Sequence, residues 1–325
     1  MKPQIKPRPG GYEFIWAEDA IIIRLERLRE KSDTISAEIS AYETPINEDN
    51  PLLMGVRSNL MSDAAPGRLA KRLAARKNNV HWPDLVEAAF ASTIREYRKS
   101  TPIIHIGQLP IKATPKWRLG PLLLDGHINL IFGDGGIGKT TIAELFAICV
   151  QQGWGEPLGL RPEKGAVLFA DYEQSSDDAN EILKALEAGL SLPAAADIIY
   201  RRGRPPILAE MEEIQAIVQQ HHVKLMIVDS IVRACGGEKE AKENASPTID
   251  ALATLGIAVL LISHVPKDIG GPRTKTAYGS VFFWNGPRMI WEMRKEQEVG
   301  TDILDVALFN RKSNRARLHP HLGFR

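Results

Sequence analysis

Residues Leu130–Thr141 read LIFGDGGIGKTT. An apolar run ends in four glycines within the six positions from Gly133 to Gly138, and a lysine follows. Glycine weakens strands and helices alike, so this density needs a backbone reason. Gly133, Asp134, Gly135, Gly136, Ile137, Gly138, Lys139 and Thr140 fit G-x-x-x-x-G-K-[ST], the phosphate-binding loop, and Thr141 continues it. The context agrees: HINLIF before the loop predicts a strand, and Lys139–Gln152 after it predicts a helix. Such a loop curls so that successive N–H groups point at a phosphate, and the helix adds its positive dipole end. In that pattern Lys139 reaches the β- and γ-phosphates of a nucleoside triphosphate, and the Thr140 hydroxyl ligates Mg2+.

Outward from the loop, short apolar runs alternate with helical stretches. AVLFAD, DIIY, KLMIVD and IAVLLIS are expected strands; Asp177–Ala188, Glu210–Gln220 and Ser246–Leu255 are expected helices. Strands apolar on both faces, separated by helices, mean a parallel sheet covered on both sides. RMIWEMRK and DILDVALFNRK then read as an antiparallel hairpin at the sheet's edge.

The expected strand ends carry chemistry. LMIVDS places Asp229 after four apolar residues, where a phosphate-loop enzyme holds the Mg2+ shell. VLFADYEQSSDD brings Asp171 and Glu173 to a second strand end, and Glu173 is the candidate to orient and deprotonate an attacking water. Asp177 and Asp178 suit the first turn of the next helix. VLLISHVPK ends a strand in Ser263-His264, and His264 there would face the ligand crevice of an open α/β sheet.

The first hundred residues differ. TISAEISAY alternates as a half-buried strand, AIIIRLERLR is its expected hairpin partner, and GRLAKRLAARK and DLVEAAFASTIREYR are expected helices. Residues 1–10 are expected to be a flexible tail, 11–100 an N-terminal α+β domain of unassigned role, 101–126 a proline-rich linker and 127–325 the domain of the phosphate loop. The net charge of +1 gives no global argument for nucleic acid. Two cysteines make neither a disulfide framework nor a zinc site, so a reducing cytoplasm is expected. No apolar run reaches the length of a membrane span, and the N-terminus lacks the apolar core of a secretory signal.

The order of phosphate loop, acid-ended strand with Glu173, IVDS and LISHVPK, followed by a hairpin, resembles the RecA-like ATPases. It is most similar to the branch of plasmid and phage RepA-type replicative helicases. The resemblance covers roughly residues 118–318. It implies an α/β fold with a RecA-like, mostly parallel sheet, helices on both faces and an antiparallel edge hairpin. It implies ATP and Mg2+, with Glu173 as catalytic carboxylate and His264 as γ-phosphate sensor. It further implies a homo-oligomeric ring, of which a hexamer is one form, acting on single-stranded DNA. Residues 267–288 would then form the channel-facing loop, with Lys267, Arg273 and Lys275 for nucleic-acid phosphates. Arg311 and Lys312 would be candidates to reach a neighbouring subunit's γ-phosphate, and the sequence does not choose between them. A nucleotide-switched DNA-binding or regulatory protein and a small-molecule kinase are the rival readings. GRLAKRLAARK carries five basic residues and no acid, and fits either nucleic-acid contact or a solvated helix face.

Overall fold

The computed structural model describes residues 2–8, 10–31, 34–47, 49–99, 115–190, 192, 194–264, 282–297, 300–301 and 303–325. The chain divides into two units, Met1–Pro110 and Ile111–Arg325. Lys267, Arg273 and Lys275 lie outside the described residues. Among the described residues no helix is long and apolar enough to cross a membrane.

In the first unit, β1 (Gln4–Arg8), β2 (Gly11–Trp16), β3 (Ile21–Lys31), β4 (Thr34–Glu43) and β5 (Leu53–Asn59) form an antiparallel sheet in sequence order. α1 (Ala64–Ala74) and α2 (Trp82–Tyr97) pack their apolar stripes on it. Ile35, Ala37, Ile39 and Ala41 of β4 are buried, as their alternation requires, and pack with Leu69, Leu73, Trp82 and Phe90. Residues 4–8 are therefore a strand and not a tail: Gln4 to Arg8 pair with Ile15 to Gly11. Pro7 is tolerated there because β1 is the edge strand.

The second unit starts before residue 127. β6 (Trp117–Gly120) and β7 (Leu123–Leu124) lie in the stretch expected to be linker and pair with each other; β6 also pairs with β9 (Arg161–Pro162). Leu119, Leu122, Leu123 and Leu124 are buried in the main core, and that burial sets the structure of this proline-containing segment.

The main sheet holds β8 (Ile128–Gly133), β10 (Ala166–Asp171), β11 (Ile199–Arg202), β12 (Val223–Asp229), β13 (Ala258–His264), β14 (Met289–Glu296), β15 (Asp305–Ser313) and β16 (Leu322–Phe324). Among the described residues its order is β11-β10-β12-β13-β8-β14-β15-β16. β11 through β14 run parallel; β15 and β16 close that side antiparallel, so β16 and not the hairpin itself forms the rim. Ile131, Phe169, Ile227 and Leu260 face one core with α3 (Lys139–Gln152), with Leu186 of α4 (Ser176–Leu190) packed at its margin. Leu130, Leu168, Val228 and Leu261 face the other, against α5 (Met211–Gln220), α6 (Ile231–Ala234), α7 (Glu240–Ala253) and α8 (Phe282–Asn285). Alternate residues of one strand thus serve opposite cores, the physical reason these strands read as unbroken apolar runs. α7 starts earlier than the expected Ser246, at Glu240, and carries Pro247 inside it.

Candidate active site

Strand register assembles the site. Asp171 pairs opposite Asp229, and His264 opposite Gly133, so the carboxyl ends of β10, β12, β13 and β8 open on one crevice. The loop from Gly133 to Gly138 leaves β8 there and turns into α3. Gly136 (φ +67°) and Gly138 (φ +85°) take the left-handed conformation that a side chain strains, and the space where a Cβ of Gly135 or Gly136 would stand is open. Gly133 is different: a Cβ there would lie 2.5 Å from the Met293 carbonyl oxygen of the adjoining strand.

Lys139 is buried, and its Nζ donates to the carbonyls of Gly133 (3.1 Å) and Asp134 (2.6 Å). Burial pulls its pKa down, partly offset by Asp229, Glu173 and Asp134. The Thr140 hydroxyl donates to Asp229 Oδ2 at 2.6 Å. Burial pushes the Asp229 carboxyl up to about 6. The pair fits Mg2+: a hydroxyl and a carboxylate converge, and a divalent cation would offset the cost of ionising Asp229. Among the described residues no three His, Cys, Asp or Glu side chains gather on a metal-sized point. A bound Mg2+ would therefore be held by Thr140 and Asp229 with the triphosphate, as Mg2+ commonly is.

Glu173 Oε1 accepts from Ser230 Oγ (2.5 Å) and faces His264 Nε2 (3.4 Å) and Arg233 Nε (3.5 Å). The bond from His264 is the largest influence holding this carboxyl down at about 2; burial opposes it, and Ser230 and Arg233 help. His264 Nδ1 lies 3.2 Å from Lys139 Nζ. An ammonium can only donate, so Nδ1 is the acceptor and the ring proton sits on Nε2, toward Glu173. His264 thereby links Glu173 to the lysine of the phosphate loop. Asp171 is buried and holds the turn carrying Glu173, accepting the backbone N–H of Glu173 (2.7 Å) and Gln174 (3.0 Å).

The two cations near the hairpin are placed differently from a free finger. Lys312 Nζ donates to the carbonyls of Trp284, Asn285 and Pro287, at 2.8 to 2.9 Å, so it caps α8. Arg311 binds Glu292, which is almost fully buried and also holds Arg294. Burial alone would raise the Glu292 pKa, and the two guanidinium groups more than offset this.

Several site residues escape sequence reasoning. Ser230 ends the IVDS element and Arg233 lies in the short helix after it, and nothing in the sequence sets either against Glu173. Lys295 Nζ donates to Gly136 O at 3.1 Å, and it lines an open depression of about 840 Å³ with Arg294, Asp305, Phe309, Phe324 and Arg325. Glu144 of α3 is buried with neither carboxylate oxygen hydrogen-bonded, and it borders a cavity of about 150 Å³ with Phe169, Asn180 and Tyr200. Burial, then Asp171 and Asp229, push it up to about 8. A lone glutamate within the apolar run IAELFAICV is the signal that could have found it.

The family model described as AAA domain matches residues 98–270, more than half of the chain. The chain belongs to the AAA domain family. Over 221 residues this AAA domain protein is 26% identical to the DNA repair protein RadA of Bacillus subtilis, a match spanning 62% of this chain and 43% of that protein. Over 167 residues it is 29% identical to the DNA repair protein RadA of Pseudomonas aeruginosa, spanning 48% of this chain and 32% of that one. The match thus spans less than half the length of either relative. A KaiC-like protein of Pyrococcus horikoshii is a similar solved structure, with a TM-score of 0.47 and 17% identity, covering 63% of this chain and 89% of that one.

Proposed function

We propose that this chain is an ATPase that acts on DNA. The observation that carries the reading is the convergence of Lys139, Thr140, Asp229, Glu173 and His264 at adjoining strand ends. The triphosphate lies along the loop from Gly133 to Thr141, with its nucleoside half toward the depression beside Lys295. Mg2+, when bound, offsets charge on the phosphate oxygens. Lys139 exchanges its two carbonyl partners for phosphate oxygens. Glu173, ionised at neutral pH, orients a water for in-line attack and accepts its proton. His264 touches both groups and so registers the γ-phosphate.

The names of the RadA relatives support DNA as the partner, and the proposed work is ATP-driven movement on DNA, strand separation or remodelling of it in repair or replication. The channel role of Lys267, Arg273 and Lys275 and assembly into a ring belong to the same proposal. For the finger in trans, Arg311 is the better candidate, because Lys312 already serves three carbonyls. The test is ATP turnover with and without single-stranded DNA. Turnover stimulated by DNA and abolished in Lys139→Ala is expected. Turnover indifferent to DNA would favour a nucleotide switch, and turnover retained in Lys139→Ala would remove the site assignment. Size measurement with and without ATP tests the ring.

A further inference from the structure

α1 and the turn after it present Arg68, Lys71, Arg72 and Arg76 to solvent, and among the described residues none of the four has an acidic partner. Several other cations of the same unit are paired: Arg8 and Arg24 share Glu13, Arg27 and Arg57 share Glu38, and Lys77 at the end of the run faces Glu43. Spacings of three and four residues place Arg68, Lys71 and Arg72 on one side of the helix, next to the buried stripe of Leu69, Ala70 and Leu73, and Arg76 follows in the turn beyond its end. That stripe fixes the helix on the sheet, so the cations are held in a row. On the helix, from residue 68 to 72, the row spans about 6 Å at about 1.5 Å per residue, and the turn carries it on to Arg76.

Concentrated positive charge without local compensation, on a chain whose net charge is only +1, is the footprint of a polyanion-binding surface. The helix segment AAPGRLAKRLA carries no aromatic residue and no Asn or Gln. Single-strand platforms stack bases on aromatic rings, and the segment has none; arginine and lysine at a duplex go first to its phosphates. What remains is contact with a regular array of phosphates. We infer that α1 of the N-terminal unit is a sequence-independent docking surface for the phosphodiester backbone of duplex DNA. The inference concerns a unit outside the phosphate loop, and it does not depend on how the ATPase site is read.

The experiment titrates a fluorescent 30-base-pair duplex with the full chain at several salt concentrations. Three variants accompany it: R68Q/K71Q/R72Q/R76Q, the charge-keeping R68K/K71R/R72K/R76K, and K267A/R273A/K275A. The first is expected to lose at least about tenfold in affinity, with the slope of log K against log salt shallower by roughly 3.6, since each of the four lost phosphate contacts removes about 0.9. The charge-keeping variant stays close to wild type, and adding the four glutamines to the loop variant lowers its affinity by the same factor as in wild type. Melting temperature and basal ATP turnover of the glutamine variant stay at wild-type values, because all four side chains are exposed. A glutamine variant with wild-type affinity and slope overturns the inference. So does a wild-type chain that binds phosphatidylserine vesicles and not the duplex. Loss of turnover in Lys139→Ala is read separately and bears only on the ATPase.

Discussion

The Thr140 hydroxyl and the Asp229 carboxylate meet at 2.6 Å, joining the start of α3 to the end of a strand two places away in the sheet. Asp229 is nearly fully buried, and its carboxyl is pushed up to about 6. The raised value means the folded chain holds this proton between the usual carboxylate range and about pH 6, where the unfolded chain has released it. Stability from this group therefore falls as pH rises through that window. Mg2+ requires the ionised form. Affinity for Mg-ATP is expected to climb with pH up to about 6 and then level, with a proton released on binding below that. Asp229→Asn should bind weakly with no such rise. Titration of a fluorescent ATP analogue from pH 5 to 8 decides it.

The Glu173 carboxyl is held at about 2 chiefly by His264, with smaller help from Ser230 and Arg233. A depressed carboxylate contributes stability that is present above its unfolded value and lost as pH falls toward the folded one. Removing a partner lets the value climb. The acid limb of kcat/KM for ATP hydrolysis should therefore move toward neutral pH in His264→Ala, and less in Arg233→Ala. Glu173→Gln should retain ATP binding and lose turnover by about 100-fold or more. Equal limbs in all three proteins would contradict the geometry.

Glu144 is a buried acid with two unbonded oxygens beside Asp171 and Asp229, and its carboxyl is raised to about 8. The folded chain keeps that proton while the unfolded chain loses it, so stability declines as pH rises from about 5 toward 8. Glu144→Leu removes both the titration and the unpaired polar atoms. It is expected to be more stable than wild type at pH 9 by about 1–3 kcal/mol, with a smaller difference at pH 6. Thermal melts at the two pH values give the comparison.

Lys312 and Arg311 are neighbours in sequence with different duties. Lys312→Met deletes three bonds from a charged donor to the end of α8, and a loss of about 1.5–3 kcal/mol is expected regardless of ATP. Arg311→Ala leaves Glu292 with Arg294 alone. If Arg311 serves a neighbouring subunit, doping that variant into wild-type assemblies lowers turnover more than in proportion; Lys312→Met does not. Proportional loss with both would assign Arg311 to the hairpin only.

What the sequence reveals, and what it hides, follows from where each residue gets its conformation. β8, β12 and β13 are visible because doubly buried parallel strands must be apolar throughout, and Asp229 and His264 are visible because polar groups end those runs. β1 is hidden: QIKPR has no strand pattern of its own, and only its pairing with β2 makes it one. β6 and β7 are hidden behind the prolines that surround them, since their order comes from the buried leucines of the core. Ser230 and Arg233 act on Glu173 across two strand ends, a relation between distant positions that no local pattern carries.

Gly133 and Gly136 belong to one motif yet answer to different neighbours. The Met293 carbonyl of β14 crowds the first, while the second needs only a left-handed backbone. Alanine at Gly133 would damage how two strands lie together, and alanine at Gly136 would damage anion recognition. A mutational scan reading only enzyme output would score the two as equivalent; heat resistance measured alongside would separate a flaw of architecture from a flaw of grip.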